Sequence, residues 1–367
     1  MKKYIILAAV ALVASAACTK VDVAQEAQKE ISFQVANRLT KATGVLYDNG
    51  PFGTYAWFND TDNFMVNEKV DLSGGAWKTV DHTFYWPKTG SVSFISYSPF
   101  AGTSNTAGSV PTVTKNSISY TGYTAGTTDL MYADKATCSS NVNEVTDSDT
   151  ADSGYEGVPT VFRHALAKLS FKIKANFVEQ ADPNDATLKT TWEVTVNSAK
   201  IGGFKNTGDC ALALNTDGKS WDKPVVTVGT DNFNVWTNLS GATADQELVA
   251  SPIVLTTSPV DIASATGYVM PQVLEAGTQV LKLDIHIKTT LSTGNTIEED
   301  FVKTLNLSDI STLKAWQMNE NIVYTINIKP TASADPSNPD NPNDVVITFD
   351  PAVADWTNVD TTATIQL

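Results

Sequence analysis

Cys18 is the residue of this sequence that is best placed for a covalent modification. A basic start, Lys2 and Lys3, is followed by the apolar run Tyr4–Ala14 and by the small residues Ser15-Ala16-Ala17. This order is typical of a secretory signal, and a cysteine at its end is typical of a lipoprotein. The apolar run is too short to span a bilayer, so acyl chains on Cys18 would anchor the exported protein to a membrane surface. Ordinary secretion is the alternative, because Ser15 stands where lipoprotein signals usually carry Leu.

Arg38 is a candidate site of proteolytic cleavage. The chain has only two arginines, and Arg38 lies in the small and polar segment Val35–Ala42, directly after the strand-like piece Ile31–Val35. Segments of this composition are often exposed, cleavable loops. Lys41 lies in the same segment, so the cut could fall there instead. A surface arginine without a special role is the other interpretation.

The sequence does not predict an enzyme. It contains no Gly-rich phosphate loop, no Gly-x-Ser-x-Gly elbow and no His-Glu-x-x-His pair. The three histidines, His82, His164 and His286, have no carboxylate or cysteine at the spacing of metal ligands. We therefore expect no catalytic residue, no metal and no cofactor. The Asp- and Asn-rich segment near residue 340 is expected to be solvated rather than to bind calcium.

The cysteines and tryptophans also favour a structural role. Cys138 and Cys210 are too few for a disulfide framework, and because they lie in different predicted domains, two thiols are favoured over one bridge. Trp57, Trp86 and Trp192 lie inside apolar strands, so they are expected to fill a core rather than to form a platform for sugars.

The net charge excludes two classes of partner. The chain of 367 residues carries a formal charge of −15, and removal of Lys2 and Lys3 with the signal takes it to −17. A surface this acidic repels nucleic acid and anionic lipid. The length predicts about two domains.

Alternation with a period of two predicts an all-β protein. Apolar residues alternate with polar ones in four long segments, at Ala165–Ile173, Trp192–Val196, Leu281–Ile287 and Ile322–Ile328. Each segment is typical of a strand with one face on a core and one face in water. The polar cluster Ser292–Asn295 is predicted to be a hairpin turn. Many short strands with polar turns favour β-sandwiches.

Two composition breaks divide the chain. Ser139–Gly157 is polar and acidic and is predicted to be a long loop at a domain boundary. Asp335–Asn343 contains three prolines, which predicts a stiff, solvated linker. The predicted organisation is a signal over residues 1–18, an N-terminal sandwich over 19–160, a C-terminal sandwich over 161–330, a linker over 331–343 and two further strand-like pieces in 344–367.

Several phrases, taken in their order along the chain, resemble the fimbrillin family, the lipoprotein subunits of type V pili. These phrases are Tyr85-Trp86-Pro87-Lys88-Thr89-Gly90, Phe94-Ile95-Ser96-Tyr97-Ser98-Pro99, Asp129-Leu130-Met131-Tyr132-Ala133, Phe162-Arg163-His164-Ala165-Leu166-Ala167-Lys168-Leu169-Ser170-Phe171, Tyr268-Val269-Met270-Pro271-Gln272, and Trp316 followed by Asn321-Ile322-Val323-Tyr324-Thr325-Ile326. They extend over nearly the whole chain behind the signal.

The resemblance implies a fold and a mode of assembly. It implies two transthyretin-like β-sandwich domains, lipidation of Cys18, cleavage after Arg38 that removes the first strand, and donation of residues 344–367 to a neighbouring subunit. The implied donor residues are Val345, Ile347, Phe349, Ala363, Ile365 and Leu367. The expected partners are other pilin subunits, including tip and anchor subunits. The expected location is the outer membrane as a lipoprotein precursor and then the fimbria.

Three alternatives to a shaft subunit stay open. Within the family these are a tip adhesin and an anchor subunit. Outside it, the alternative is a surface glycan-binding lipoprotein that keeps its first strand and binds sugar through exposed tryptophans.

Overall fold

The computed structural model describes residues 30–37, 50–102, 109–133, 135–139, 157–182, 184–213, 235–249, 251–262, 267–310, 313–332 and 343–355. Nearly all the regular structure in these ranges is β-strand, which confirms the predicted fold class. The strands are β1 (Phe33–Asn37), β2 (Phe52–Phe58), β3 (Asp62–Ser73), β4 (Ala76–Thr79), β5 (Ser91–Ser98), β6 (Thr112–Thr114), β7 (Ser117–Thr124), β8 (Met131–Ala133), β9 (Ala136–Ser139), β10 (Val158–His164), β11 (Ala167–Ala175), β12 (Glu179–Ala181), β13 (Lys189–Gly202), β14 (Lys205–Ala213), β15 (Trp236–Ala242), β16 (Gln246–Val249), β17 (Ile253–Val254), β18 (Val260–Ile262), β19 (Tyr268–Val269), β20 (Gln272–Val273), β21 (Val280–Thr290), β22 (Thr296–Asn306), β23 (Ala315–Trp316), β24 (Glu320–Ala332) and β25 (Asn343–Asp355). One 3-10 helix, Leu307–Asp309, follows β22.

The N-terminal strands form one sheet that closes on itself. Its order is β2-β3-β4-β1-β10-β8-β5-β9, and β2 also pairs with β5. The hydrogen bonds therefore run around a ring of seven strands, which we call the N-terminal ring. Its core is rich in aromatic side chains, including Phe52, Trp86, Phe94 and Phe162. Closure leaves the ring few open edges, and exposed edges are where strands of other chains can add.

The C-terminal strands form a β-sandwich. One sheet has the order β18-β11-β24-β25 with β19 beside β11, and the other has the order β12-β13-β21-β22 with β16 and β17 beside β13. A single apolar core lies between them and contains the alternating residues of β11, β13, β21 and β24. The predicted alternation is therefore confirmed in three segments and in the part of the fourth that forms β11. The predicted turn at Ser292–Asn295 joins β21 to β22, and the amide of Leu291 donates to the carbonyl of Asn295 at 2.8 Å.

One sheet takes strands from both halves of the sequence. Its order is β15-β14-β7-β6, so β14 of the C-terminal half pairs with β7 of the N-terminal half. We call it the shared sheet. Below it lies a third apolar cluster that includes Tyr97, Leu166 and Trp236. The expectation of two separate sandwiches did not include this element.

The chain passes from the ring to the C-terminal sandwich at Ala165 and Leu166. The alternation predicted one strand over Ala165–Ile173, but the structure has β10 before this point and β11 after it. Both residues are fully buried, and the amide of Ala165 donates to the carbonyl of Leu130 at 2.7 Å. The crossing lies just after the predicted boundary at residue 160, because β10 belongs to the ring.

Two buried polar side chains connect the shared sheet to neighbouring segments of the chain. The indole Nε1 of Trp236 donates to the carbonyl of Ala165 at 2.8 Å. The side-chain amide of buried Gln272 accepts from the backbone amide of Lys205 and donates to its carbonyl, both at 3.0 Å. Gln272 thus pairs with β14 as a neighbouring strand would, which satisfies backbone groups that burial would otherwise leave costly.

An ion pair with a buried lysine joins three turns of the N-terminal half. Lys135, between β8 and β9, is only 3% exposed, and its Nζ donates to both carboxylate oxygens of Asp60 at 2.8 and 3.1 Å and to Oδ1 of Asn116 at 3.3 Å. Asp60 lies in the turn between β2 and β3 with φ of 61°. The hydrogen bond from Lys135 lowers the pKa of the Asp60 carboxyl.

This pair should respond asymmetrically to substitution. Asp60→Asn keeps a residue that tolerates positive φ but leaves the buried ammonium without a carboxylate, so we expect a loss of about 3 kcal/mol in the free energy of unfolding. Lys135→Met leaves only a carboxylate whose side chain is 48% exposed, and we expect a change below about 1 kcal/mol. Urea unfolding at pH 7 measures both.

The pH dependence supplies the control. Because the folded pKa of Asp60 is lowered, its contribution is present above the unfolded pKa of about 3.9 and is lost as the pH falls through the folded value. The difference between the wild type and Asp60→Asn should therefore shrink below pH 4. Equal losses in the two variants at pH 7 would contradict the assignment.

Candidate functional site

The first strand lies inside the ring, not at its edge. β1 pairs in parallel with β10, from Phe33 opposite Val158 to Asn37 opposite Phe162. On its other side Phe33 is opposite Trp77 of β4 in antiparallel pairing. A residue pair ahead of the strand, Glu30 with Tyr85, continues this side. β1, the first strand of the described chain, therefore closes the ring by lying between β4 and β10, which do not pair with each other.

The backbone of β1 is held from both sides. The amide of Val158 donates to the carbonyl of Ser32 at 2.7 Å, and the amide of Ile31 donates to the carbonyl of Phe84 at 2.9 Å. Backbone groups of successive strand residues alternate in direction. Ser32 therefore faces β10, whereas Ile31 and Phe33 present their backbone groups to the β4 side.

The side chains of this segment fill the ring's core. Ile31 is 1% exposed and Phe33 is 3% exposed. The ring of Phe33 makes edge-to-face contacts with Phe52 at 5.6 Å and with Phe94 at 5.8 Å between centroids. Val35 is half-buried against the same core. We call the space between β4 and β10, with its places for Ile31 and Phe33, the seat of β1.

The seat would be costly to leave empty. Burial of Ile31 and Phe33 contributes on the order of 5 kcal/mol from apolar area alone. Without β1, backbone groups of β4 and β10 would lose their partners, and unpaired backbone groups away from water are unfavourable. An emptied seat would therefore bind another extended apolar segment by strand addition.

An ion pair marks the beginning of the seat. Lys78 of β4 contacts the carboxylate of Glu30. Both side chains are about one-third exposed. The pair contributes little energy at such exposure, but it sets the position at which residue 30 lies along β4.

The C-terminal strand lies at the edge of the sandwich. β25 pairs with β24 along all its 13 residues, with Ile347 opposite Ile328 and Phe349 opposite Ile326. On the other side β24 pairs in parallel with β11 over eight residues, from Lys168 opposite Asn321 to Ala175 opposite Ile328. The strand predicted at Val345–Phe349 is thus longer and continues through Pro351.

The predicted site residues fall into two groups. Cys18, Arg38, Lys41, Ala363, Ile365 and Leu367 lie outside the described residues. Val345, Ile347 and Phe349 lie in β25, and the predicted first strand at Ile31–Val35 overlaps β1. Arg38 is the residue after the last residue of β1 in the sequence. The donor and cleavage roles of these residues stay predictions.

The histidines contact carboxylates that their sequence neighbours did not indicate. His82 lies 3.0 Å from Glu68, His286 lies 2.8 Å from Asp300, and partly buried His164 contacts buried Asp129. The hydrogen bond to Glu68 raises the pKa of His82. Each contact joins residues on different strands or turns, so the spacing of the residues in the sequence does not predict it. Within the described ranges, no three His, Cys, Asp or Glu side chains are grouped as a metal would require.

The cysteines and tryptophans are packed as the sequence indicated. Cys138 and Cys210 are buried thiols, and burial raises the pKa of Cys210 to about 12, so this thiol is not a nucleophile near neutral pH. Trp57, Trp86 and Trp192 are all below 9% exposed. None of these three can stack on a sugar in solvent.

No helix in the described part of the chain has the length and apolar character that crossing a membrane requires.

Comparisons with known proteins identify the family. The chain is similar to the crystal structure of a fimbrial protein from Bacteroides vulgatus, with a TM-score of 0.53 and 15% identity over 89% of this chain and 99% of that one. It also aligns with the fimbrial anchor protein Mfa2 from Porphyromonas gingivalis, with a TM-score of 0.28 and 11% identity over 92% of this chain and 100% of that one. The first shows a shared fold, and the second carries no structural argument. No curated protein matches the chain.

The family profile matches most of the sequence. The profile described as Fimbrillin-like matches residues 38–356, which begin directly after β1 and end directly after β25. A match of this extent includes the ring, the shared sheet and the sandwich. The chain therefore belongs to the fimbrillin-like family.

Proposed function

We propose that this protein is a structural subunit of a type V fimbria that supports adhesion and biofilm formation. It is exported as a lipoprotein through Cys18, cleaved after Arg38, and polymerised by donor-strand exchange. The observation that carries the proposal is the place of β1. It fills an internal seat in the ring, and the next residue in the sequence is the candidate cleavage residue.

Cleavage after Arg38 separates β1 from the rest of the chain, so that β1 can leave its seat. Before the cut, Ile31 and Phe33 belong to the same chain as their seat, so no other segment competes. After it, residues 19–38 are held by contacts alone and can leave. The emptied seat then presents apolar places between β4 and β10 together with unpaired backbone groups. A strand from another subunit restores both kinds of interaction.

The donated segment comes from the C-terminal residues 344–367. These residues follow the Pro-rich linker and have the alternation of a strand. β25 is an edge strand of its own sandwich, so its departure uncovers only β24, which keeps β11 as a neighbour. Donation of the tail of one subunit to the seat of the next is a head-to-tail contact, and such contacts produce a filament when they do not close.

Two alternatives within the family predict different products. A tip adhesin would end the filament, and an uncleaved anchor would keep β1 in its seat and stay in the outer membrane. The tail argues against a tip, and Arg38 argues against an anchor. A glycan-binding lipoprotein is weakened by the burial of Trp57, Trp86 and Trp192.

The first prediction concerns export. Cys18→Ala should abolish incorporation of a labelled fatty acid, because only this thiol lies at the end of the signal. Metabolic labelling followed by immunoprecipitation measures the change, with Cys138→Ala as the control that keeps its label. Undiminished label in Cys18→Ala would show that acylation does not occur at this residue.

The second prediction concerns maturation. Arg38→Ala combined with Lys41→Ala should keep β1 in its seat and leave subunits outside the filament. The cut should be absent in an N-terminal sequence of the protein, and electron microscopy should show few or no filaments. Melting of the variant monomer should match the unprocessed wild type, since both substitutions follow β1 in the sequence and leave the apolar residues of the ring's core unchanged. Normal filaments from the double variant would exclude cleavage at these residues.

The third prediction concerns the tail. Deletion of residues 344–367 should leave a cooperative unfolding transition. The reason is that β24 is still paired with β11, and the apolar side chains of both strands remain in the sandwich core. The melting temperature should fall by several degrees, since β24 loses its partner strand. The truncated subunit should fail to extend a filament. Loss of the cooperative transition would mean that β25 is required for folding, and normal filaments would mean that another segment is donated.

A further inference from the structure

The segment before Arg38 and a segment of the tail share a sequence pattern. Residues 30–36 read Glu-Ile-Ser-Phe-Gln-Val-Ala, and residues 346–352 read Val-Ile-Thr-Phe-Asp-Pro-Ala. Ile, Phe and Ala coincide, Ser is matched by Thr, and Gln is matched by Asp. The two residues that fill the core, Ile31 and Phe33, coincide with Ile347 and Phe349.

We propose that residues 347–352 of one subunit occupy the seat of β1 in the next subunit in this register. Ile347 takes the place of Ile31, and Phe349 takes the place of Phe33. The same segment is held by β24 in the free subunit, so the two positions exclude each other. This inference rests on the proposed function and specifies which part of the tail is donated and what holds it beforehand.

The seat demands an aromatic residue at one position. Phe33 contacts Phe52 and Phe94 edge to face, and such pairs are favourable beyond the area that they bury. Phe349 is the residue of the pattern that can restore both contacts. Ile347 restores the branched aliphatic side chain of Ile31 without a change in volume, and volume changes in a packed core are costly.

The one proline of the segment falls where its missing N–H is tolerated. In this register Pro351 takes the place of Val35, whose backbone groups face the β4 side because those of Ser32 face β10. Antiparallel pairing of Phe33 with Trp77 carries Val35 beyond the first residue of β4. The amide at this position therefore has no strand residue of β4 opposite it, and proline is accepted at such sites.

The last residues of the chain fit the seat less well. With Ile365 in the place of Ile31, Leu367 takes the place of Phe33, and the edge-to-face contacts with Phe52 and Phe94 are lost. With Ala363 in the place of Ile31, Ile365 takes the place of Phe33, and both core positions receive smaller side chains. Either register loses the aromatic contacts of the seat, which residues 347–352 would keep.

In the free subunit, residues 347–352 are already paired with β24. In β25, Ile347 lies opposite Ile328, Phe349 lies opposite Ile326, and Pro351 lies opposite Tyr324, all three partners being fully buried residues of β24. A segment paired with β24 cannot lie in another subunit's seat. The hairpin of β24 and β25 is therefore a closed state that must open before a subunit can be added.

The register can be measured by crosslinking across the Glu30–Lys78 contact. Val346 takes the place of Glu30 in the proposed register, whereas Thr364 or Thr362 takes it in the two registers of the terminal segment. One subunit carries Lys78→Cys, and the other carries Val346→Cys, Thr364→Cys or Thr362→Cys. Filaments formed by each co-expressed pair are treated with a short bis-maleimide. The native Cys138 and Cys210 are buried.

We expect crosslinked dimers with Val346→Cys at a yield at least tenfold above the other two. Dominant crosslinking through Thr364→Cys or Thr362→Cys, or equal low yields of all three in well-formed filaments, would overturn the register. Absence of filaments from the mature wild type would instead contradict the proposed function.

Charge substitutions provide a matched pair that needs no crosslinker. Val346→Glu recreates the Glu30–Lys78 contact in the seat and lies opposite Lys329 in the hairpin, so filaments should form as in the wild type. Phe349→Glu places a carboxylate where the seat requires an aromatic ring, so filaments should fall more than tenfold. Equal effects of the two substitutions would contradict the assignment.

The closed state is tested by a reversible lock. Asn327→Cys with Thr348→Cys are directly opposite in β24 and β25, and their disulfide should reduce filament extension more than tenfold until a reductant is added. Lys282→Cys with Thr304→Cys, opposite each other in β21 and β22, is the control that should not impair extension. Normal extension by the oxidised Asn327–Thr348 variant would show that this segment does not leave β24.

Discussion

The pairing of β1 with β10 is the constraint on which the N-terminal half depends. It is a parallel pairing between residues far apart in the sequence, and it closes a ring whose other strands pair mostly with near neighbours. Two apolar side chains and the backbone of one short strand hold this closure. The seat is occupied by a strand of the same chain, and the exchange that we propose would place a strand of another subunit there.

The rest of the molecule keeps the seat and the tail in a fixed relation. The shared sheet pairs β7 with β14, and Trp236 of that sheet donates to the carbonyl of Ala165 at the crossing between the ring and the sandwich. A flexible connection would let the two ends of a subunit swing independently. In the filament that we propose, this packed connection would give every subunit the same geometry, which regular assembly requires.

Sequence patterns predicted those elements whose signal is local. The buried positions of β21 alternate strictly from Leu281 to Ile287, and the turn that follows has its own polar residues. The family resemblance supplied the roles of the two termini. By contrast, the shared sheet joins β7 to β14, and nothing in either segment indicates a partner nearly a hundred residues away. Pairing of distant strands depends on tertiary packing, which periodicity does not report.

The same limit applied to side chains. The sequence around Lys135 did not indicate that Lys135 is buried beside Asp60. The sequence around His286 did not indicate that Asp300 lies opposite it on the next strand. In each case the partners meet because two strands or turns are adjacent in space. The alternation predicted a single strand beginning at Ala165, and this was wrong for a related reason. Ala165 and Leu166 are both buried where the chain crosses from the ring to the sandwich, and they do not belong to a strand.

The short crossing at Ala165 and Leu166 also determines how a subunit carries mechanical load. β10 borders the seat, β11 follows it after two residues, and β11 pairs in parallel with β24, from which the tail departs. In the filament that we propose, tension on the donated tail would pass through the linker to β24, across its pairing with β11, and through the buried junction to β10 and the seat. Between β11 and β24 this force would act parallel to the strands. The hydrogen bonds between them would then be loaded together in shear and would not break one after another.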